Sequence, residues 1–178
     1  MTAQLTVIED PEAEKAAAQR RLLGALLFAA GGPMTEEEIK AHLPRADIQK
    51  LVHDVAARYR SVGVELRRAA GGWDLVTAPD LAGRLAHNVK RERQVSRAAI
   101  EVLTIIAHNQ PCTRTHVSTL RGTEVGSSVL ASLEEAGWIA VRRGKPGPNG
   151  ASLWVTTDAF LTDFGFEDIQ ELRRLEPL

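Results

Sequence analysis

The chain carries one short structural plan twice, and that repetition restricts its possible folds more than any other feature. In the first copy Leu23, Leu26, Leu27 and Ala30 fall at i, i+3, i+4 and i+7, one face of a helix from about Arg20 to Ala30. Gly31-Gly32-Pro33 stops it, and Thr35-Glu36-Glu37-Glu38 reads as a capping box that starts a short helix ending near Pro44. Asp47 is placed to cap a third helix, with Ile48, Leu51, Val52, Val55 and Tyr59 on its apolar face. Two strands are expected next, Val64–Ala70 and Trp73–Ala78, joined through the hairpin signal Gly71-Gly72.

The second copy keeps the order. Ser96 caps a helix to about Asn109 that is apolar on more than one face (Ile100, Val102, Leu103, Ile105, Ile106), so it should be buried between layers. Pro111 ends that helix, Thr113 opens a short one to Arg121, and a third covers Ser127–Ala136 before Gly137. Strands at Trp138–Arg143 and Ser152–Thr157 flank the turn Gly144–Gly150. Helix, short helix, helix, two-strand hairpin is the winged-helix plan. The fold expected is α+β, mainly helical, with two tandem winged-helix domains joined by a linker helix. The boundaries read as a flexible tail over 1–18, an N-terminal winged helix over 19–78 and a linker helix over 79–95. A C-terminal winged helix over 96–166 and a tail over 167–178 follow.

Charge narrows the function. Residues 1–92 carry 13 basic and 13 acidic groups and residues 93–178 carry 9 and 10, so neither half has the basic excess of a domain that grips nucleic acid as a whole. The single cysteine, Cys112, rules out an intrachain disulfide and fits a reducing compartment. No apolar run approaches the roughly 18 residues that span a bilayer. The acidic N-terminus has no apolar signal core, so a cytoplasmic location is expected.

A winged helix often reads DNA by placing its third helix in the major groove, with Arg, Lys, Asn or Gln on base edges. The second third-helix, Ser127 to Ala136, turns Ser, Ala and Glu outward and offers no cation. The first mixes Lys50, His53, Arg58 and Arg60 with Asp47 and Asp54, as a solvated face would. Basic residues do gather at Arg84, Lys90, Arg91, Arg93 and Arg97, at Arg142, Arg143 and Lys145, and at Arg67-Arg68, which leaves weak phosphate contact as a secondary reading. His108, Cys112 and His116 are zinc-ligand types spaced four apart, but Pro111 interrupts the helix they would share, so no metal site is expected. There is no phosphate-binding Gly-x-x-x-x-Gly-Lys run and no Gly-x-Ser-x-Gly elbow, so neither cofactor nor catalysis is expected.

Several blocks resemble segregation and condensation protein B. They are Leu26-Leu27-Phe28-Ala29-Ala30-Gly31 before a Pro and an acidic helix, and Ala70-Gly71-Gly72-Trp73-Asp74-Leu75-Val76-Thr77. Next come Ser96-Arg97-Ala98-Ala99, Leu103-Thr104-Ile105-Ile106-Ala107, Gln110-Pro111, Thr113-Arg114 and Leu120-Arg121-Gly122. The ending Thr156-Thr157, Phe160 and Phe164-Gly165 also fits, so the resemblance covers roughly residues 20 to 172. The family often has Pro-Gly-Arg-Pro in its second wing; here the turn is Pro146-Gly147-Pro148-Asn149, so no role of that arginine carries over.

The resemblance implies a non-catalytic adaptor that acts with a kleisin subunit and, through it, a structural-maintenance-of-chromosomes ATPase at the nucleoid. Such proteins dimerise mainly through their N-terminal winged helices and embrace the kleisin. The runner-up is a winged-helix transcription regulator, which would bind its DNA site at about 10⁻⁸ M or tighter. With catalysis set aside, interfaces become the candidate sites. Phe28, Tyr59 and Trp73 are the dimer-interface candidates, beside Leu43 and Val52 as further large apolar residues. Trp154, Arg142 and Arg143 are the partner-binding candidates. If Leu153 and Val155 face the core, alternation turns Trp154 outward; otherwise it packs on the segment around Phe160 and Phe164.

Overall fold

The computed structural model describes residues 10–85, 95–142 and 150–174. The chain divides into two compact units, one taking residues up to Arg67 with Gly72–Gly83, the other Arg68–Gly71 with the residues from Arg84 onward. Each is a mainly helical α+β body with one two-stranded sheet.

The first unit opens with α1 (Pro11–Ala30), α2 (Glu36–His42) and α3 (Ile48–Arg60). β1 (Val64–Ala69) and β2 (Gly72–Thr77) pair, and α4 (Pro79–Leu85) follows. The capping signals work as the sequence indicates. The Thr35 hydroxyl accepts from Glu38 N–H at 3.3 Å while Glu38 Oε2 accepts from Thr35 N–H at 2.8 Å. Asp47 Oδ1 accepts from Lys50 N–H at 3.1 Å. The core is Leu23, Leu27, Ile39, Leu43, Ile48, Leu51, Val52 and Val55, with Trp73 and Leu75 packed on it from β2. Gly72 is obligatory there: a Cβ would lie 2.7 Å from the Met34 carbonyl oxygen. That close approach lets Met34 and Trp73 exchange backbone hydrogen bonds at 2.8 and 2.9 Å.

α1 begins inside the stretch expected to be a tail. Asp10 caps it, Pro11 takes the first turn, where its missing N–H costs nothing, and Ala16-Ala17-Ala18 carries high helix propensity.

The second unit is built round α5 (Arg97–Asn109), followed by α6 (Arg114–Arg121), α7 (Ser127–Glu135), β3 (Ile139–Val141) and β4 (Trp154–Thr156). α5 packs on α6, α7 and β4, but it is not buried between layers on every side, because Arg97, Ile100, Glu101 and Thr104 form an exposed face. Ala99, Val102, Leu103, Ile106 and Ala107 are buried, while Ile100 is 39% exposed. Ser96 and Thr113 cap α5 and α6, and Gly122 ends α6 at φ 76°. β3 and β4 are antiparallel, with Val141 opposite Trp154 and Ile139 opposite Thr156.

Two short helices close this unit, α8 (Asp158–Phe164) and α9 (Ile169–Arg174). The second replaces an expected tail. Asp168 Oδ1 accepts from the N–H groups of Gln170 and Glu171, and Leu172 buries against the α5 core. The linker helix expected over 79–95 is helical from Pro79 to Leu85, and its remaining length, through residue 94, lies outside the described residues.

Candidate functional site

The three candidates of the first unit separate sharply. Leu43 and Val52 are core, at 6% and 4% exposure. Phe28 is 82% exposed on the last turns of α1, with Leu22 (44%) and the exposed Ala25 on the same outer face. Tyr59 and Trp73 are half-buried and pack on the core. The Tyr59 ring lies against Gly24 of α1, so it ties α3 to α1 instead of standing free.

Alternation leaves two readings open for Trp154. The side chain is partly buried, and among Leu153, Trp154 and Val155 it is Trp154 that packs on the core. The cause is on the neighbouring element: Trp154 pairs in backbone fashion with the buried Cys112, which draws this strand position over α6 and α7. Phe164 packs against the rings of Trp138 (5.0 Å between centroids) and Phe160 (4.9 Å). Trp138 also donates its indole N–H to Asp163 at 2.7 Å, so it anchors α8. Trp154 also borders a groove of about 400 Å³ with Thr113, Arg114, Ser127, Leu130 and Ala131.

Arg142 is exposed at the end of β3, where its backbone N–H donates to Leu153 at 2.7 Å. Arg143 and Lys145 lie outside the described residues, as do Lys90, Arg91 and Arg93. Arg67 meets Asp74 at 3.4 Å, Arg97 meets Glu101 at 3.4 Å, and Arg84 is exposed.

The outer face of α7 carries exposed Ser127, Ser128, Ala131, Ser132, Glu134 and Glu135, while Leu130 and Leu133 are buried. That face itself carries two carboxylates and no cation, and the guanidinium of the bordering groove, Arg114, is paired with Glu124 at 3.0 Å. Cys112 is 3% exposed, and burial pushes its thiol up to about 11. His108 sits on α5 with Nδ1 2.9 Å from the Thr104 carbonyl, and among the described residues no group of three or more His, Cys, Asp or Glu could hold a metal ion.

A second groove, also about 400 Å³, runs between α1 and α3. Ala17, Val55, Tyr59 and Val62 line it together with Arg20, Arg21 and Arg58. By sequence Arg58 belongs to a solvated face. Nothing in the sequence brings it to Arg20 and Arg21; only the packing of α1 on α3 does so.

With both units described, a family model for the segregation and condensation complex subunit ScpB matches residues 21–175, spanning both of them. The chain belongs to the ScpB family. It is similar to segregation and condensation protein B of Moorella thermoacetica, 36% identical over 162 residues, covering 88% of this chain and 83% of that one. A segregation and condensation protein B homolog of Coxiella burnetii is 30% identical, covering 87% and 78%. Among solved structures, ScpB from Mycobacterium tuberculosis is 28% identical, covering 89% of this chain and 96% of that one, with a TM-score of 0.37. No described helix is long and apolar enough to cross a membrane.

Proposed function

We propose that this ScpB-family chain is a non-catalytic adaptor of a bacterial chromosome-condensation complex. It binds the kleisin as a homodimer and reaches the structural-maintenance-of-chromosomes ATPase through that kleisin, in the cytoplasm at the nucleoid. The observation that carries this reading is the family match from residue 21 to 175, which runs through both units instead of one shared module.

The surfaces support it. Phe28, Leu22 and Ala25 leave an apolar face on α1, and a unit this small gains by covering such a face with a second copy. We infer that Trp154 and the exposed Arg142 offer the kleisin a half-buried aromatic and a cation, with Arg143, which lies outside the described residues, a further candidate by sequence. The carboxylates on the outer face of α7 favour weak or absent direct DNA contact over the regulator reading.

Light scattering on a sizing column tests the proposal, first with the chain alone and then with the kleisin encoded in the same genome. A dimer that shifts to a complex with two copies per kleisin is the expected result. A chain that ignores the kleisin but binds a DNA site tightly would replace the adaptor with the regulator.

A further inference from the structure

The α1–α3 groove of the first unit has its own chemistry. Its apolar lining is Ala17, the fully packed Val55 at 1% exposure, the face of Tyr59, and Val62, which is 69% exposed. The charged groups that line it are all arginines: Arg20, Arg21 and Arg58. Arg20 is held by Asp54 at 3.4 Å, with both side chains about two-thirds covered or more. Arg21 and Arg58 are exposed and have no ion-pair partner among the described residues. Lys40 is matched to Glu36 and Arg67 to Asp74, but Lys50 and Arg60 also have no ion pair among the described residues, so it is the apolar cleft beside Arg21 and Arg58 that sets these two apart. The groove therefore combines an apolar seat with two uncompensated guanidinium groups.

That combination selects an occupant. The cleft suits one or two apolar side chains, being near the lower end of ligand-site volumes of roughly 300–1,000 Å³. Guanidinium forks take carboxylates in bidentate fashion, and their aliphatic stems extend the apolar wall. The geometry points to a docking site for an acidic peptide segment of a partner protein, with a leucine-like side chain seated between α1 and α3. Flanking carboxylates would sit on Arg21 and Arg58. This assignment stands apart from the identity of the adaptor's partner: it names a surface and a ligand chemistry that the family membership does not supply.

The test uses the full chain, labelled with ¹⁵N, and three probes: a short synthetic peptide with a leucine flanked by glutamates, its glutamine counterpart, and a single-stranded DNA of similar length. The expected result is amide shifts confined to the groove round Ala17, Val55, Tyr59 and Val62, with the glutamate peptide bound about tenfold more tightly than the glutamine one. Arg21→Glu and Arg58→Glu should each weaken the glutamate peptide about tenfold. Lys50→Glu, an equal change of net charge elsewhere on α3, should leave it within about twofold. Equal affinity for the two peptides, shifts outside the groove, equal losses in Arg21→Glu and Lys50→Glu, or tighter binding of the DNA would each overturn the assignment. Heat denaturation of every variant separates a lost contact from a lost fold.

Discussion

Cys112 and Trp154 exchange both backbone hydrogen bonds, Cys112 N–H to the Trp154 carbonyl at 3.2 Å and Trp154 N–H to the Cys112 carbonyl at 2.8 Å. The pair pins β4 to the turn between α5 and α6 and decides which way the indole points. Trp154 is thus a packing residue with one edge left for a partner. Trp154→Ala should cost about 2–3 kcal/mol of stability, somewhat less than a fully buried Trp because the side chain is only partly buried. Trp154→Phe should recover most of that loss. If the exposed edge contacts the kleisin, both variants weaken the complex while leaving the dimer intact, with Ala the worse. Affinity measured on the folded fraction and unchanged in both removes Trp154 from the interface.

The other member of the pair is a core atom without exposed chemistry. Cys112 is 3% exposed and its thiol titrates near 11, raised by desolvation of the thiolate. The native chain should therefore resist iodoacetamide at neutral pH and react only when unfolded. The sign of the pH effect follows from the same shift. The unfolded thiol ionises first, near its ordinary 9, so stability is intact below that value and falls as pH rises through about 11. Cys112→Ser buries a hydroxyl in an apolar site and should cost about 1–3 kcal/mol, while kleisin binding by the folded fraction stays at the wild-type value. Faster alkylation than unfolding would contradict the buried placement.

Much of this structure is legible in local sequence because the signals are themselves local. Thr35 with Glu38, Asp47, Ser96, Thr113 and Gly122 mark helix ends through hydrogen bonds or backbone angles that need no distant partner. Trp154 was harder for a definite reason. Period-two alternation says that Leu153 and Trp154 point to opposite faces, but not which face is the core, and that choice is made by Cys112, over forty residues earlier. The α1–α3 groove was illegible for the same reason, since Arg58 joins Arg20 and Arg21 only after two helices pack. Within the stretch expected to be a tail, Asp10, Glu12 and Glu14 sit at a helix N-terminus, where negative charge is favourable.

The capping box gives a pH signature. Glu38 is held below its ordinary 4.5 because its carboxylate accepts from the backbone N–H and then the hydroxyl of Thr35. A depressed carboxyl pKa contributes stability above 4.5 that disappears as pH falls through the folded value. Glu38→Gln should be less stable than wild type at neutral pH, and the gap should narrow steadily in acid below 4.5. Parallel denaturation curves from neutral to acid pH check this. A gap that does not change with pH would mean that the Glu38 charge adds nothing beyond its hydrogen bonds.

Phe28 gives the cleanest separation of folding from assembly. At 82% exposure it loses almost nothing within its own unit when replaced, so Phe28→Glu should leave the unfolding free energy of the monomer within about 0.5 kcal/mol of the wild-type value. A homodimer that buries Phe28 would instead place a carboxylate in an apolar contact twice, once per protomer, because a two-fold interface uses the same patch on both sides. A penalty of about 2 kcal/mol per site is ordinary for a central aromatic anchor, and two such sites would weaken dimerisation on the order of a thousandfold. Sedimentation equilibrium should then find monomers at concentrations where the wild type is dimeric. Tyr59→Phe is the contrast: its ring remains against Gly24, so the dimer should persist. A Phe28→Glu chain that remains dimeric would exclude the Phe28 end of α1 from the interface and direct the search to Leu22 and Ala25 on the same helix.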